Sequence, residues 1–254
     1  MTTRNLMKKT KTFFVLFVLL LAGIGCATTD EKKVLGPQEL LQKGVREIKN
    51  QDIVDAKATF KQLLEDYPDS KERVPALMHL ADLHYSDDEY EESKFHYTRF
   101  IELYPAHKNV DRAHYYKAMS DFKAMGTASR DQTHTRMALA GFDTLARNFP
   151  NSAYHSRAVE KKKYCTETLA KNVFEIGKYY YRTGSYHSAI IRLQSLRTDY
   201  PDQPFEGEAI FILAESYYNE ENFDEAKGSY IELLKNHPKS PFAKKAKNRL
   251  KTLR

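Results

Sequence analysis

Tryptophan is absent from the 254 residues, cysteine occurs only twice, and glycine and proline number just ten and nine. Two cysteines cannot build a disulfide framework or a four-cysteine zinc site, and so little Gly and Pro excludes a turn-rich β sandwich. Also missing is a membrane-spanning run. The apolar stretch Phe13 to Ala22 has ten residues, half of the about 20 that a spanning helix needs. The first 25 residues hold no acid and four bases, Arg4, Lys8, Lys9 and Lys11. Without them, 36 Lys and Arg face 34 Asp and Glu, and the net charge drops from +6 to +2. The basic balance therefore belongs mostly to the leader and does not argue for nucleic acid as a partner. The remaining body, in a chain 41% apolar and 29% charged, is too apolar for a disordered segment and favours helices.

Signs of catalysis are equally scarce. The nine histidines include no pair at i, i+4 that could hold a metal on one helix face. There is no Gly-rich phosphate loop and no G-x-S-x-G elbow. Cys165 follows Lys161, Lys162 and Lys163, which could activate a thiol, but a cysteine in mid-helix more often packs as a small apolar residue. The expectation is a protein that is not an enzyme and needs no metal or cofactor.

What is present begins with the leader. Bases, the apolar run and then Gly23-Ile24-Gly25-Cys26 have the order of an export signal. The end resembles the lipobox of bacterial lipoproteins, in which the chain is cut before the cysteine and the thiol is acylated. Gly25 and Ile24 fit that pattern, while Gly23 stands where a branched residue is usual. An ordinary cleaved signal beside an unrelated cysteine is the alternative. The lipobox reading makes residues 1–25 a signal peptide and Cys26 a lipidated amino terminus. Ala27, in place of the Asp that marks retention in the inner membrane, then implies delivery to the outer membrane. Residues 26–36 form a short polar linker of at most about 35 Å, which keeps the body near the membrane surface.

Five strings then recur, Asp66-Tyr67-Pro68, Leu103-Tyr104-Pro105, Asn148-Phe149-Pro150, Asp199-Tyr200-Pro201 and Asn236-His237-Pro238. Their prolines lie 37, 45, 51 and 37 residues apart, the period of a solenoid of helix pairs. Twelve residues before each proline stands a small residue (Ala56, Ser93, Ala138, Ala189, Ala226), and eight before it a large one (Phe60, Tyr97, Phe142, Leu193, Tyr230). That offset of four places each pair on one helix face. Earlier still, Gly44, Ala81, Gly177 and Ala214 are small enough to let two helices touch, with Ala118 as the third unit's counterpart. This is the tetratricopeptide pattern, an all-α right-handed superhelix of about five helix pairs. The third unit carries a polar, mobile-looking insertion over 126–135, and a long helix over 153–181 joins units three and four. Two blocks follow, 37–151 (units one to three) and 152–240 (units four and five). The basic tail 241–254 reads as a capping helix with Phe242, Ala246, Leu250 and Leu253 on its apolar stripe.

Leader, five units, insertion and long helix together resemble the BamD family, lipoproteins of the outer-membrane β-barrel assembly machine that are called competence lipoproteins in some genera. Arg99 to Asp111, with His107, Asn109 and Asp111, and Pro150 to Tyr154 carry the specific part of the resemblance. It implies a scaffold, anchored by lipid (palmitate among its acyl groups) on the periplasmic face of the outer membrane. Its implied partners are the barrel-forming subunit, bound by the carboxy-terminal units, accessory lipoproteins, and unfolded outer-membrane proteins met by the amino-terminal groove. A tetratricopeptide lipoprotein of pilus assembly or cell-envelope division is the alternative.

By analogy with tetratricopeptide architecture, the first helix of each pair lines the concave face. The corresponding slots of the amino-terminal units hold Leu41, Val45 and Ile48, then Met78 and Tyr85, then Tyr115, Met119 and Phe122. They read either as a groove for extended peptides rich in aromatic side chains or as packing against the next unit. Charge is uneven: residues 147–197 hold ten bases and three acids. That run is either a solvated face or a docking surface in which Arg182, Arg192 and Arg197 grip an acidic partner.

Overall fold

The computed structural model describes residues 34–253. The signal segment, Cys26, most of the linker and Arg254 lie outside the described residues. No described helix is long and apolar enough to cross a membrane.

Among the described residues eleven helices follow one another: α1 (Pro37–Asn50), α2 (Ile53–Asp66), α3 (Arg73–Ser86), α4 (Tyr90–Leu103), α5 (Val110–Lys123), α6 (Thr133–Asn148), α7 (His155–Arg182), α8 (Tyr186–Asp199), α9 (Glu206–Asn219), α10 (Phe223–Asn236) and α11 (Ala243–Thr252). Each packs on the next in sequence, which makes the tetratricopeptide solenoid expected from the period. The prolines end the second helix of every pair. The residue before each has φ between −138° and −129°, outside the helical region, and its N–H still donates to the carbonyl four residues back. Within the pairs the turns rely on left-handed residues: Gln51, Asp88, Gly184 and Glu221 have φ between 60° and 78°. The α5–α6 pair has no such residue and is bridged by its insertion instead.

The core is a chain of five clusters, each built from three consecutive helices. The large residues eight positions before each proline, from Phe60 to Tyr230, are fully enclosed in them, as are the small residues four positions earlier. Close approach explains the small residues. A Cβ on Gly44 would lie 2.6 Å from the Phe60 ring, and one on Gly141 would lie 2.7 Å from the Cβ of Ala118. The 28-residue α7 serves two clusters: Ala158 and Cys165 close the third, Ala170 and Phe174 open the fourth.

The insertion departs from the expectation of a mobile segment. Helix α6 already begins at Thr133, and the connection before it is tied by the buried Gln132, whose amide donates to the carbonyls of Thr127 (2.8 Å) and Arg130 (2.9 Å). Thr135 donates to the Gln132 Oε1 at 2.8 Å, and Asn172 of α7 donates to the Ala128 carbonyl at 2.6 Å. Polar composition here supplies hydrogen bonds that a tight turn needs.

Three partly buried histidines make the amino-terminal units sensitive to acid. Burial, reinforced by the nearby charges of His84, Arg99 and Lys61, pushes His96 down to about 4, and burial likewise lowers His79 and His114. Unfolded imidazoles take up a proton near pH 6.5. Between that value and about 4 the unfolded chain holds more protons than the folded one, so stability is fully present above pH 6.5 and falls with acidification through this window. Thermal melts from pH 7.5 downward should record a falling midpoint. His96→Phe should shrink the drop, because the His96 Nδ1 is enclosed without a hydrogen-bond partner and the ring already stacks on His84. Equal acid sensitivity in the two proteins would rule this cause out.

Candidate binding surfaces

The first helices of units two and three bring an aromatic series together. Tyr85 of α3 meets Tyr116 of α5 at 5.3 Å between ring centroids, Tyr116 meets Tyr115 at 5.3 Å, and Tyr115 stacks on Tyr154 at 4.8 Å. Arg112 lies over the Tyr116 ring at 4.9 Å and is fixed from below by Asp82, 2.7 Å from its Nη2. Asp82 also accepts from the hydroxyl of the buried Tyr97. The result is a guanidinium stacked on Tyr116 and held in place by a carboxylate, while the Tyr116 ring meets Tyr85 and Tyr115 edge to face. Burial pushes the Tyr85 hydroxyl up to about 12, so it stays a neutral hydrogen-bonding group. Farther along, Phe122 meets Tyr164 of α7 at 5.4 Å, with the Lys161 ammonium over the Phe122 ring at 5.1 Å.

The slots read from sequence divide sharply when placed. Met78, Tyr115 and Met119 are buried, so they shape this surface from beneath and offer almost no area to a ligand. Leu41, Val45 and Ile48 are half-buried against the first cluster, and Tyr85 and Phe122 against the third. The packing alternative therefore takes the larger share of these residues. Tyr164, 55% exposed, and Tyr116 and Tyr154 were not among the sequence candidates. The slots of the first helices of units one to three do not reach the first half of α7, where the aromatic Tyr164 directly after three lysines was the available signal.

The basic candidates divide as well. Arg197 is held in an ion pair with Glu232 of α10, so its guanidinium serves the packing of units four and five. Arg182 and Arg192 are exposed and form no ion pair among the described residues. Exposed Tyr179 and Ile191 lie on the same two helices, α7 and α8.

Two possible chemical sites resolve into structural roles. Burial pushes the Cys165 thiol up to about 12, against a weaker opposing effect of Lys161, which leaves it a packing residue. Glu91, Asp121 and His134 place their ligand atoms within 4.8 Å of one another. The Asp121 Oδ1 is already paired with the Lys94 ammonium at 2.7 Å.

Comparison with known proteins agrees with the family resemblance. Residues 35–227 match the family model described as YfiO, outer membrane lipoprotein. A relative from Pasteurella multocida named outer membrane protein assembly factor BamD is 25% identical, over 83% of this chain and 85% of the relative. A relative of the same name from Caulobacter vibrioides is 29% identical, over 87% of this chain and 74% of its own. Among solved structures, a tetratricopeptide repeat protein from Parabacteroides merdae superimposes with a TM-score of 0.38 at 15% identity, covering 85% of this chain and 73% of that one.

Proposed function

The chain belongs to the YfiO family of outer membrane lipoproteins, and on that premise we propose that it acts in outer-membrane protein assembly as a non-enzymatic scaffold. Cys26 carries the lipid that holds it to the periplasmic face of the outer membrane. Units one to three, 37–151, meet unfolded barrel proteins, and units four and five, 152–240, hold the barrel-forming subunit, with accessory lipoproteins completing the complex. The observation that carries the reading is the family match over residues 35–227, which spans the aromatic surface and the exposed arginines alike. The exposed Tyr164, with the half-buried Tyr85 and Phe122, supplies rings with little rotamer freedom to lose, the kind of anchor that extended, aromatic-rich segments use. Arg182 and Arg192 are free to pair with carboxylates of a folded partner.

The test is copurification of the intact chain from detergent-solubilised membranes, beside the Arg182→Glu/Arg192→Glu variant. The expected result is recovery of an integral outer-membrane barrel protein with the parent and its loss from the variant, at unchanged helical content. Recovery of pilus or division proteins alone would refute the reading. Equal recovery of the barrel protein by both chains would move its docking site away from these arginines.

A further inference from the structure

Helix α11 has two dissimilar sides. Its inward stripe, Ala243, Ala246 and Leu250, flanked by Phe242 and Leu253, closes the fifth cluster. Its one guanidinium within the helix, Arg249, also turns inward, where Nε and Nη2 donate to both oxygens of the buried Glu215 at 2.8 and 2.7 Å. The outward side carries Lys244, Lys245, Lys247 and Lys251, all exposed, in a helix without an acid. Among the described residues none of the four comes within ion-pair distance of a carboxylate, including the exposed Glu220, Glu221, Asp224 and Glu225 of the neighbouring turn and helix.

The chemistry of this face selects its occupant. A protein partner is gripped through apolar or aromatic anchors and through arginine forks of fixed geometry. On α11 every such group is turned into the core. What remains is an array of four exposed point charges, of which Lys245 also lies over the Phe242 ring at 6.0 Å, and such an array suits a diffuse negative surface with no fixed acceptor positions. Membership of an outer membrane lipoprotein family brings such a surface within reach. We propose that the outward face of α11 rests on the anionic phosphates of membrane phospholipids, a second membrane contact at the opposite end of the chain from its leader. The inference rests on the family's placement at a membrane and is independent of what the aromatic surface binds. With no apolar side chain left to insert, the contact is purely electrostatic and yields to salt.

The full chain, purified from membranes, is reconstituted into vesicles of phosphatidylethanolamine with phosphatidylglycerol, or of phosphatidylcholine alone, and acetylation of each lysine is timed by mass spectrometry. On the anionic vesicles the four lysines should react about fivefold more slowly than on the neutral ones, and recover at about 0.5 M salt. The exposed Lys61 and Lys163 should react alike on both. In Lys244→Glu/Lys247→Glu, protection of Lys245 and Lys251 should vanish. Equal rates on the two vesicles would overturn the proposal. Protection seen only in native membranes, and not on pure lipid, would overturn it too and give the face to an acidic protein. Copurification of assembly proteins is unaffected by either result, so the two readings fall separately.

Discussion

Arg249→Ala should lower stability by about 3 kcal/mol and release helix α11 from the end of the solenoid. Glu215 is only 5% exposed, and its carboxylate is satisfied by the Arg249 fork and by the Tyr230 hydroxyl at 2.5 Å. Alanine at 249 leaves a buried negative charge with one neutral donor, and the desolvation cost of that charge is no longer offset. The pair spans 34 residues and joins α9 to α11, so its loss acts on the terminal cluster first. Urea melts measure the global loss, and amide exchange over 243–252 measures the local one. The triple change Glu215→Leu/Tyr230→Phe/Arg249→Met, which removes charge and hydroxyl together, should recover most of the stability because no polar group is stranded. A loss below about 1 kcal/mol in Arg249→Ala would show that solvent reaches Glu215 once the arginine is gone.

Gly141→Val should cost about 3 kcal/mol, toward the upper end of what overpacking does in a core. Helices α5 and α6 cross at this point, where an added Cβ would meet the Ala118 Cβ at 2.7 Å and its Cα at 3.3 Å. Neither atom can rotate away, so relief requires the helices to separate, and separation opens the cluster around the fully buried Phe142. Gly228 of α10 supplies the contrast, since nothing lies within 4 Å of its added Cβ. There Gly→Ala should stabilise the chain, by up to about 1 kcal/mol of helix propensity. Thermal melts of the two variants should therefore shift in opposite directions. A shift of the same sign in both would mean that the α5–α6 contact is not the constraint.

The two contrasts show what a one-dimensional reading can reach. Gly141 is invisible as a packing residue in sequence, because the tetratricopeptide offsets mark Ala118, Ala138 and Phe142 but leave its position unmarked. The third unit is also where the insertion hides the spacing between its two helices. The ordered turn there depends on one buried amide, Gln132, and on Asn172 reaching back 44 residues. Its composition, rich in Thr and Ser with Gly126, is equally that of a mobile loop.

By itself the sequence determined the period, the helix ends and the enclosed positions. Small residue, large residue and proline recur at constant offsets, and each acts locally, through helix approach, burial and the missing N–H. All five large residues proved fully enclosed for that reason. Only the tertiary structure decided which of the remaining apolar and charged groups face outward. Core and groove slots adjoin on a helix, so a rotation smaller than one residue's step separates the buried Tyr115 from an exposed anchor. Likewise Arg197 is claimed by Glu232, 35 residues away, while Arg182 and Arg192 stay open to solvent. Pairing at that distance is set by how successive units stack, which no local spacing records.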